Sequence, residues 1–286
     1  MALRSEIKRI RESLPHFAYH QFLMLLSAIA VILLSILLAG CSSSNSLSNV
    51  YLLSLEYTAK ESSFPTKPGQ VSSAIAHAIQ DVSQTGNGTT LEVRAGYMGI
   101  CVTQSHTGRI CSNNVKVLAN LFQTQRSVNN GNTSTEIVPD PLNLIMIANE
   151  FKEKIVFNGL IYIVVALMFI CILSLSTFPG WRDEVDENGS AFESKPFPSR
   201  IALSICLLAV SASFGFGLIS ILWQHINSSA TATMTEILTY GAVSGHVGAA
   251  AMALGWLSIG LLGIVCMALF MMKLTLTMVR QPEEDD

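Results

Sequence analysis

Four stretches without a charged residue, 22–39, 155–177, 201–223 and 247–272, constrain this chain more than anything else in it. As helices rising about 1.5 Å per residue they would be about 27 to 39 Å long, which suits a hydrocarbon core about 30 Å thick. The rest of the chain cannot make up the deficit of charge. Only 13% of its residues are charged, against about 25% in an ordinary soluble domain. That excludes a soluble enzyme, a nucleic-acid binder and a secreted disulfide scaffold. The fold class this predicts is an all-α four-helix membrane bundle, with the lipid bilayer as its first partner and no nucleic acid.

Basic residues orient the spans, because short segments rich in lysine and arginine stay in the cytosol. Arg4, Lys8, Arg9 and Arg11 precede the first stretch, and Arg182, Lys195 and Arg200 lie between the second and third. Lys273 and Arg280 follow the fourth, while 224–246 has none. The expected layout is a cytosolic segment 1–21, a span 22–40 and an extracellular loop domain 41–154. A span 155–178, a cytosolic loop 179–200 and a span 201–223 follow. An extracellular loop 224–246, a span 247–272 and a cytosolic tail 273–286 complete it. The first loop holds eight basic residues but is too long for them to vote. Leu38-Ala39-Gly40-Cys41-Ser42 looks like a lipoprotein cleavage box. However, the apolar run before it exceeds the usual signal length of about 7 to 15 residues, and three more spans follow. The run is therefore read as a span and Cys41 as an interfacial thiol.

The long first loop has its own patterning. Tyr51, Leu53, Leu55 and Tyr57 alternate with other residues, and so does Leu91-Glu92-Val93-Arg94-Ala95; both read as strands, with Glu92 and Arg94 facing water. Val71, Ala74, Ile75, Ala78, Ile79 and Val82 recur at helical spacing, and Val115, Leu118, Leu121 and Phe122 suggest a second short helix. Between the first strand and these helices, 61–70 with Pro65 and Pro68 reads as a linker. Asp140-Pro141 is a helix start, and Leu144, Ile145, Ala148, Phe151 and Ile155 continue from it. One helix over about 141 to 178 is expected, stopped by Pro179-Gly180. Asn87 and Asn132 open glycosylation tripeptides in polar stretches of this loop. Asn227-Ser228-Ser229 has the same pattern close to the membrane.

Cys171, Cys206 and Cys266 lie inside spans, where a small apolar filler is the expected role. Cys101 and Cys111 share the outer loop and are predicted to pair. Closing that ring would contribute about 2.8 kcal/mol in the chain-entropy picture. Ser105-His106-Thr107-Gly108 supplies a turn, so the pair staples a hairpin. Gly96 and Gly99 would allow a bulge or close backbone approach.

Gly96, Tyr97, Met98, Gly99, Cys101 and Cys111, set in a large first loop of a four-span chain, resemble the fungal factor-induced-gene mating family, the calcium regulator and membrane fusion proteins. The segments 38–44 and 51–55 also look like that family's first span and first strand. The likeness reaches from the first span to the fourth, and more distantly to claudins and peripheral myelin proteins. Claudins carry tryptophan in the first loop, whereas the three here are Trp181, Trp223 and Trp256. The resemblance implies a claudin-like bundle capped by a small extracellular β-sheet. It also implies a plasma-membrane protein, both termini cytosolic, that promotes low-affinity calcium influx and membrane fusion in mating or hyphal fusion. Implied partners are calcium channel subunits or the opposing cell's surface.

The chemistry of the residues fits a regulator or scaffold. No Asp, Glu, Lys, Arg or His lies within the four stretches, which argues against a proton-coupled carrier. The outer acids are scattered, whereas calcium needs six to eight oxygens at short spacing. His106, His225 and His246 have no nucleophile partner or metal-ligand spacing. No catalytic residue, metal or cofactor is expected. Glu150, Lys152, Glu153 and Lys154 read as interfacial anchors. Small residues one turn apart, Ser211 with Gly215 and Ser213 with Gly217, are candidate helix-packing faces, as are Gly241 with Gly245 and then Gly255, Gly260 and Gly263. They would serve contacts within the bundle or a lateral homo- or hetero-oligomer. The rival expectations are a pore-forming channel subunit and an adhesive organiser of membrane domains, like the eisosome tetraspan proteins.

Overall fold

In the computed structural model of the chain, the residues described are 19–42, 47–57, 91–104, 108–114, 118, 140, 142–178, 182–185, 191–194, 199–239 and 241–280. Five helices and seven strands occur among them. In chain order they are α1 Tyr19–Ala39, β1 Leu53–Tyr57, β2 Leu91–Ala95, β3 Ile100–Gln104, β4 Gly108–Ser112, α2 Leu144–Lys154 and α3 Gly159–Ser176. Then come β5 Arg182–Val185, β6 Ala191–Ser194, α4 Arg200–Leu238, β7 Val243–Val247 and α5 Ala249–Arg280. The protein is mostly helical, and α1, α3, α4 and α5 are each long and apolar enough to cross a membrane. Two compact units divide the chain, one of 1–32, 162–217 and 257–286 and one of 33–161 and 218–256.

The first unit is built from helices. Tyr19 on α1 donates its hydroxyl hydrogen to the Ala268 carbonyl of α5 at 3.1 Å. Phe214 of α4 meets Gly263 of α5, and Gly217 of α4 lies against Ile259 and Val164. Cys206 of α4 meets Cys171 of α3, and His20 of α1 tilts over Phe178 just past α3. These contacts close a ring around buried Leu23, Met168, Val210, Leu262 and Val265. The outward faces are no less apolar: Phe22, Leu25, Leu173, Leu208 and Met267 are all more than half exposed. Apolar faces on this scale need a hydrocarbon solvent. This unit also holds the antiparallel hairpin β5–β6, in a connection that shows no strand pattern in sequence.

The second unit is built on a five-stranded antiparallel sheet in the order β4-β3-β2-β1-β7. Successive residues of a strand point to opposite faces, so the register sorts the side chains. Leu53, Leu55, Tyr57, Leu91, Val93, Ala95, Ile100 and Val102 share one face and are all buried. Against β1, β2 and β3 lies α2, whose own buried stripe is Leu144, Ile145, Ala148 and Phe151. Ser54, Glu56, Glu92, Arg94, Cys101, Thr103, Arg109 and Cys111 share the other face.

Several expectations need correction. The single helix expected over 141 to 178 is two, broken at 155–158. The Ile155 and Val156 amides both donate to the Phe151 carbonyl. The Ile155 carbonyl, which a continuing helix would offer to residue 159, accepts instead from the Trp223 indole at 3.3 Å. The helix also begins three residues later than expected. Asp140 still serves it, its carboxylate accepting from the Leu144 amide at 2.8 Å and the Ile145 amide at 3.3 Å. The cap position itself is Asn143, in the left-handed region at φ 52°.

The expected loop 224–246 is mostly helix and strand. Helix α4 runs on to Leu238, its Ser and Thr hydroxyls satisfied by carbonyls one turn earlier (Ser229 to His225, Thr233 to Ser229, Thr235 to Thr231). In addition, Ile221, Gln224, Ser228, Ala232 and Thr235 form a buried stripe. Gly241 and Gly245 are no helix face. Gly241 turns the chain at φ 80°, and Gly245 in β7 lies on the Ala232 backbone. The linker at 61–70, the helix expected at 71–82, Asn87, Asn132 and the 105–107 turn lie outside the described residues. Of the helix expected at 115–122 only Leu118 is described, and it is fully buried.

Candidate functional site

The region singled out by the 96–111 motif is built against the end of α1. There the Gly40 amide donates to the Leu37 carbonyl, and Cys41 takes the left-handed conformation at φ 56°. The chain then doubles back, with the Cys41 amide on the Leu47 carbonyl, before entering β1. The turn from β2 to β3 sits on this elbow. A Cβ on Gly96 would lie 2.5 Å from the Gly40 carbonyl and 2.8 Å from the Cys41 Cβ, and one on Gly99 would strike the Cys41 carbonyl. Segments 38–42 and 96–101 are therefore two halves of one joint that admits only glycine at its contact points.

Tyr97 sits within that turn and is 1% exposed. Asn158, in the break between α2 and α3, donates to the Tyr97 carbonyl at 3.1 Å. Burial raises the Tyr97 hydroxyl well above an ordinary phenol, and no hydrogen-bond partner for it occurs among the described residues. Met98 is half-buried beside it. Cys101 and Cys111 stand directly opposite each other on β3 and β4 and are joined by a disulfide, with Cα atoms 4.0 Å apart.

The disulfide lies on the polar face of the sheet, next to Arg94 in the register. That face is cross-braced and not freely solvated, which corrects the expectation that Glu92 and Arg94 face water. Arg94 bonds Glu92 at 2.6 Å, the Ser54 hydroxyl donates to the same carboxylate oxygen at 2.7 Å, and the two charged side chains are less than a fifth exposed. Arg94 also reaches Asn49 Oδ1 at 3.0 Å and the Ser48 carbonyl at 3.3 Å, and stacks 4.9 Å over the Tyr51 ring. Arg109 bonds Thr103 at 3.0 Å and the Ser48 hydroxyl. The 48–51 segment thus covers part of the face. Burial works against the Glu92 carboxylate, but the hydrogen bonds from Arg94 and Ser54 and the two guanidinium charges outweigh it, so its pKa is lowered.

Burial pushes the Cys41 thiol up to about 12 despite Arg94 and Arg109 nearby, so it is protonated at neutral pH and a poor nucleophile. Among the described residues no three His, Cys, Asp or Glu side chains are placed to hold a metal ion. His225 packs edge-on to Trp256, and His246 neighbours Ser244. Asn227 and Ser228 sit on α4, Ser228 fully buried. Of the anchors, Glu150 pairs with Lys154 and Lys152 reaches Asn113.

The small residues of the helices divide. Ser213 is buried, while Gly217, Gly255 and Gly263 lie against Ile259, Ile221 and Phe214. Ser211 is exposed, and a Cβ on Gly215 or Gly260 would meet open space. The 48–51 brace, Asn158 and Trp223 carry no periodic signal of their own and were not legible. Only Asn158-Gly159, inside an apolar run, hinted at the break.

A family model described as the Ca2+ regulator and membrane fusion protein Fig1 matches residues 77–275, well over half of the chain. No curated protein matches. No solved structure matches either.

Proposed function

This chain belongs to the Fig1 family of Ca2+ regulators and membrane fusion proteins, and from that membership we propose that it promotes low-affinity calcium influx and membrane merger at the fungal plasma membrane during mating or hyphal fusion. The observation that carries this reading is the family match, which takes in both the 96–111 motif and the last three membrane-length helices. In this reading both termini and the 179–200 connection are cytosolic. The sheet lies outside the cell, the loop that contains it carries glycans on Asn87 and Asn132, and the bundle is claudin-like. The role is non-enzymatic. A stiff, cross-braced sheet joined to the first span presents the half-buried row Glu56, Thr103 and Arg109 of its polar face to a calcium channel subunit or to the opposing cell. The open positions at Ser211, Gly215 and Gly260 serve lateral assembly, where small residues let helices approach closely.

The test is cytosolic calcium, followed by a reporter in deletion-mutant cells exposed to a mating or fusion signal. A lost calcium rise that the intact gene restores is the expected result, and flux through the purified protein in liposomes then separates a pore from a regulator. A normal rise with failed fusion would overturn the influx role in favour of adhesion or membrane organisation.

A further inference from the structure

The helical unit brings together two thiols that neither the sheet nor the proposed function uses. Cys171 on α3 and Cys206 on α4 are fully buried with their sulfurs 2.8 Å apart. At that separation one thiol donates to the other sulfur, so the two sulfurs are already neighbours with nothing between them. Cys171 lies five residues before α3 ends at Ser176, and Cys206 six after α4 begins at Arg200. Both are therefore less than two turns from the helix ends that the 177–199 segment connects.

We propose that Cys171 and Cys206 form a redox latch, which a neutral hydroperoxide closes to a disulfide tying α3 to α4. Complete burial between apolar helices shuts out charged oxidants, whereas an uncharged hydroperoxide enters hydrocarbon. One sulfur, with the partner thiol donating to it, gives up its proton as it attacks the terminal peroxide oxygen. The O–O bond breaks, the alcohol leaves with that proton, and a sulfenic acid remains. The second thiol attacks the sulfenic sulfur, so an S–S bond forms, the S–O bond breaks and water leaves. Two thiols and one hydroperoxide thus give one disulfide, one alcohol and one water, the sulfurs supplying the two electrons.

The experiment treats membranes holding the full-length protein with cumene hydroperoxide, then denatures them and counts thiols with a maleimide mass tag. Of six cysteines two are already joined, leaving four thiols to label. The expected count falls from four to two, and full reduction by a phosphine after denaturation raises it to six in treated and untreated protein alike, which shows that the lost tags were held in a disulfide. Peptide mass spectrometry should find Cys171 linked to Cys206. Cys206→Ser should show three tags before treatment and lose at most one after it, since Cys171 alone stops at the sulfenic acid. Four tags on treated wild-type protein, or a loss of two tags in Cys206→Ser, would overturn the latch. If that variant does not fold, the wild-type peptide map decides, and a link through Cys41 or Cys266, or none, overturns it.

Discussion

At the scale of single residues, Gly99 and Gly108 separate two reasons for glycine in this motif. Gly99 is needed for space, since a Cβ there strikes the Cys41 carbonyl, whereas Gly108 is needed for its φ of 79° and meets nothing within 4 Å. Gly99→Ala should therefore cost about 1 to 3 kcal/mol or more, and Gly108→Ala about 1 to 2 kcal/mol. Thermal melts of the purified protein in detergent would show it, and a Gly99→Ala variant as stable as wild type would sink the space argument. Glu92 adds a pH signature. Its folded pKa is lowered from the ordinary 4.5, so its contribution is complete above that unfolded value and is lost as pH falls through the folded one. The stability gap between wild type and Glu92→Gln should be constant from neutral pH down to about 5.5 and should close on further acidification. A gap that widened in acid would contradict the bracing by Arg94 and Ser54.

At the scale of elements, strand β2 was legible and its environment was not. The alternation of Leu91, Val93 and Ala95 fixes which side is buried, because a strand's period is two. Nothing local says that Ser48, Asn49 and Tyr51, more than forty residues earlier, will close over Glu92 and Arg94. The same holds for the break at 155–158, where an apolar periodicity runs straight through and a tertiary bond from Trp223 takes the freed carbonyl. The hairpin β3–β4 was marked by its cysteines. Replacing both Cys101 and Cys111 by serine should cost about 2 to 3 kcal/mol while keeping the strand content seen by far-ultraviolet circular dichroism, since five register pairs join the two strands. Loss of the sheet itself would show that the staple dictates the pairing.

At the scale of the whole molecule, α4 is the informative element. Its 39 residues extend about 58 Å, nearly twice a hydrocarbon core. Leu208 and Met234 are comparably exposed, at 71% and 65%, but only Leu208 lies within the uncharged stretch. Leu208→Arg should reduce membrane insertion in a translation assay by roughly the 2.5 to 3.5 kcal/mol of a charge near a span centre. Met234→Arg should leave insertion unchanged. If both failed alike, the stretch 201–223 would not be the spanning part. The sequence by itself determined the four apolar helices, the buried side of the strands and the family, because each is written in local composition, periodicity or a contiguous motif. Only the tertiary structure decided that Gly96 and Gly99 sit on the elbow at Gly40 and Cys41, that α4 runs on to Leu238, and that Cys171 meets Cys206. Those depend on what a distant segment places opposite a residue, and a local pattern holds no record of that.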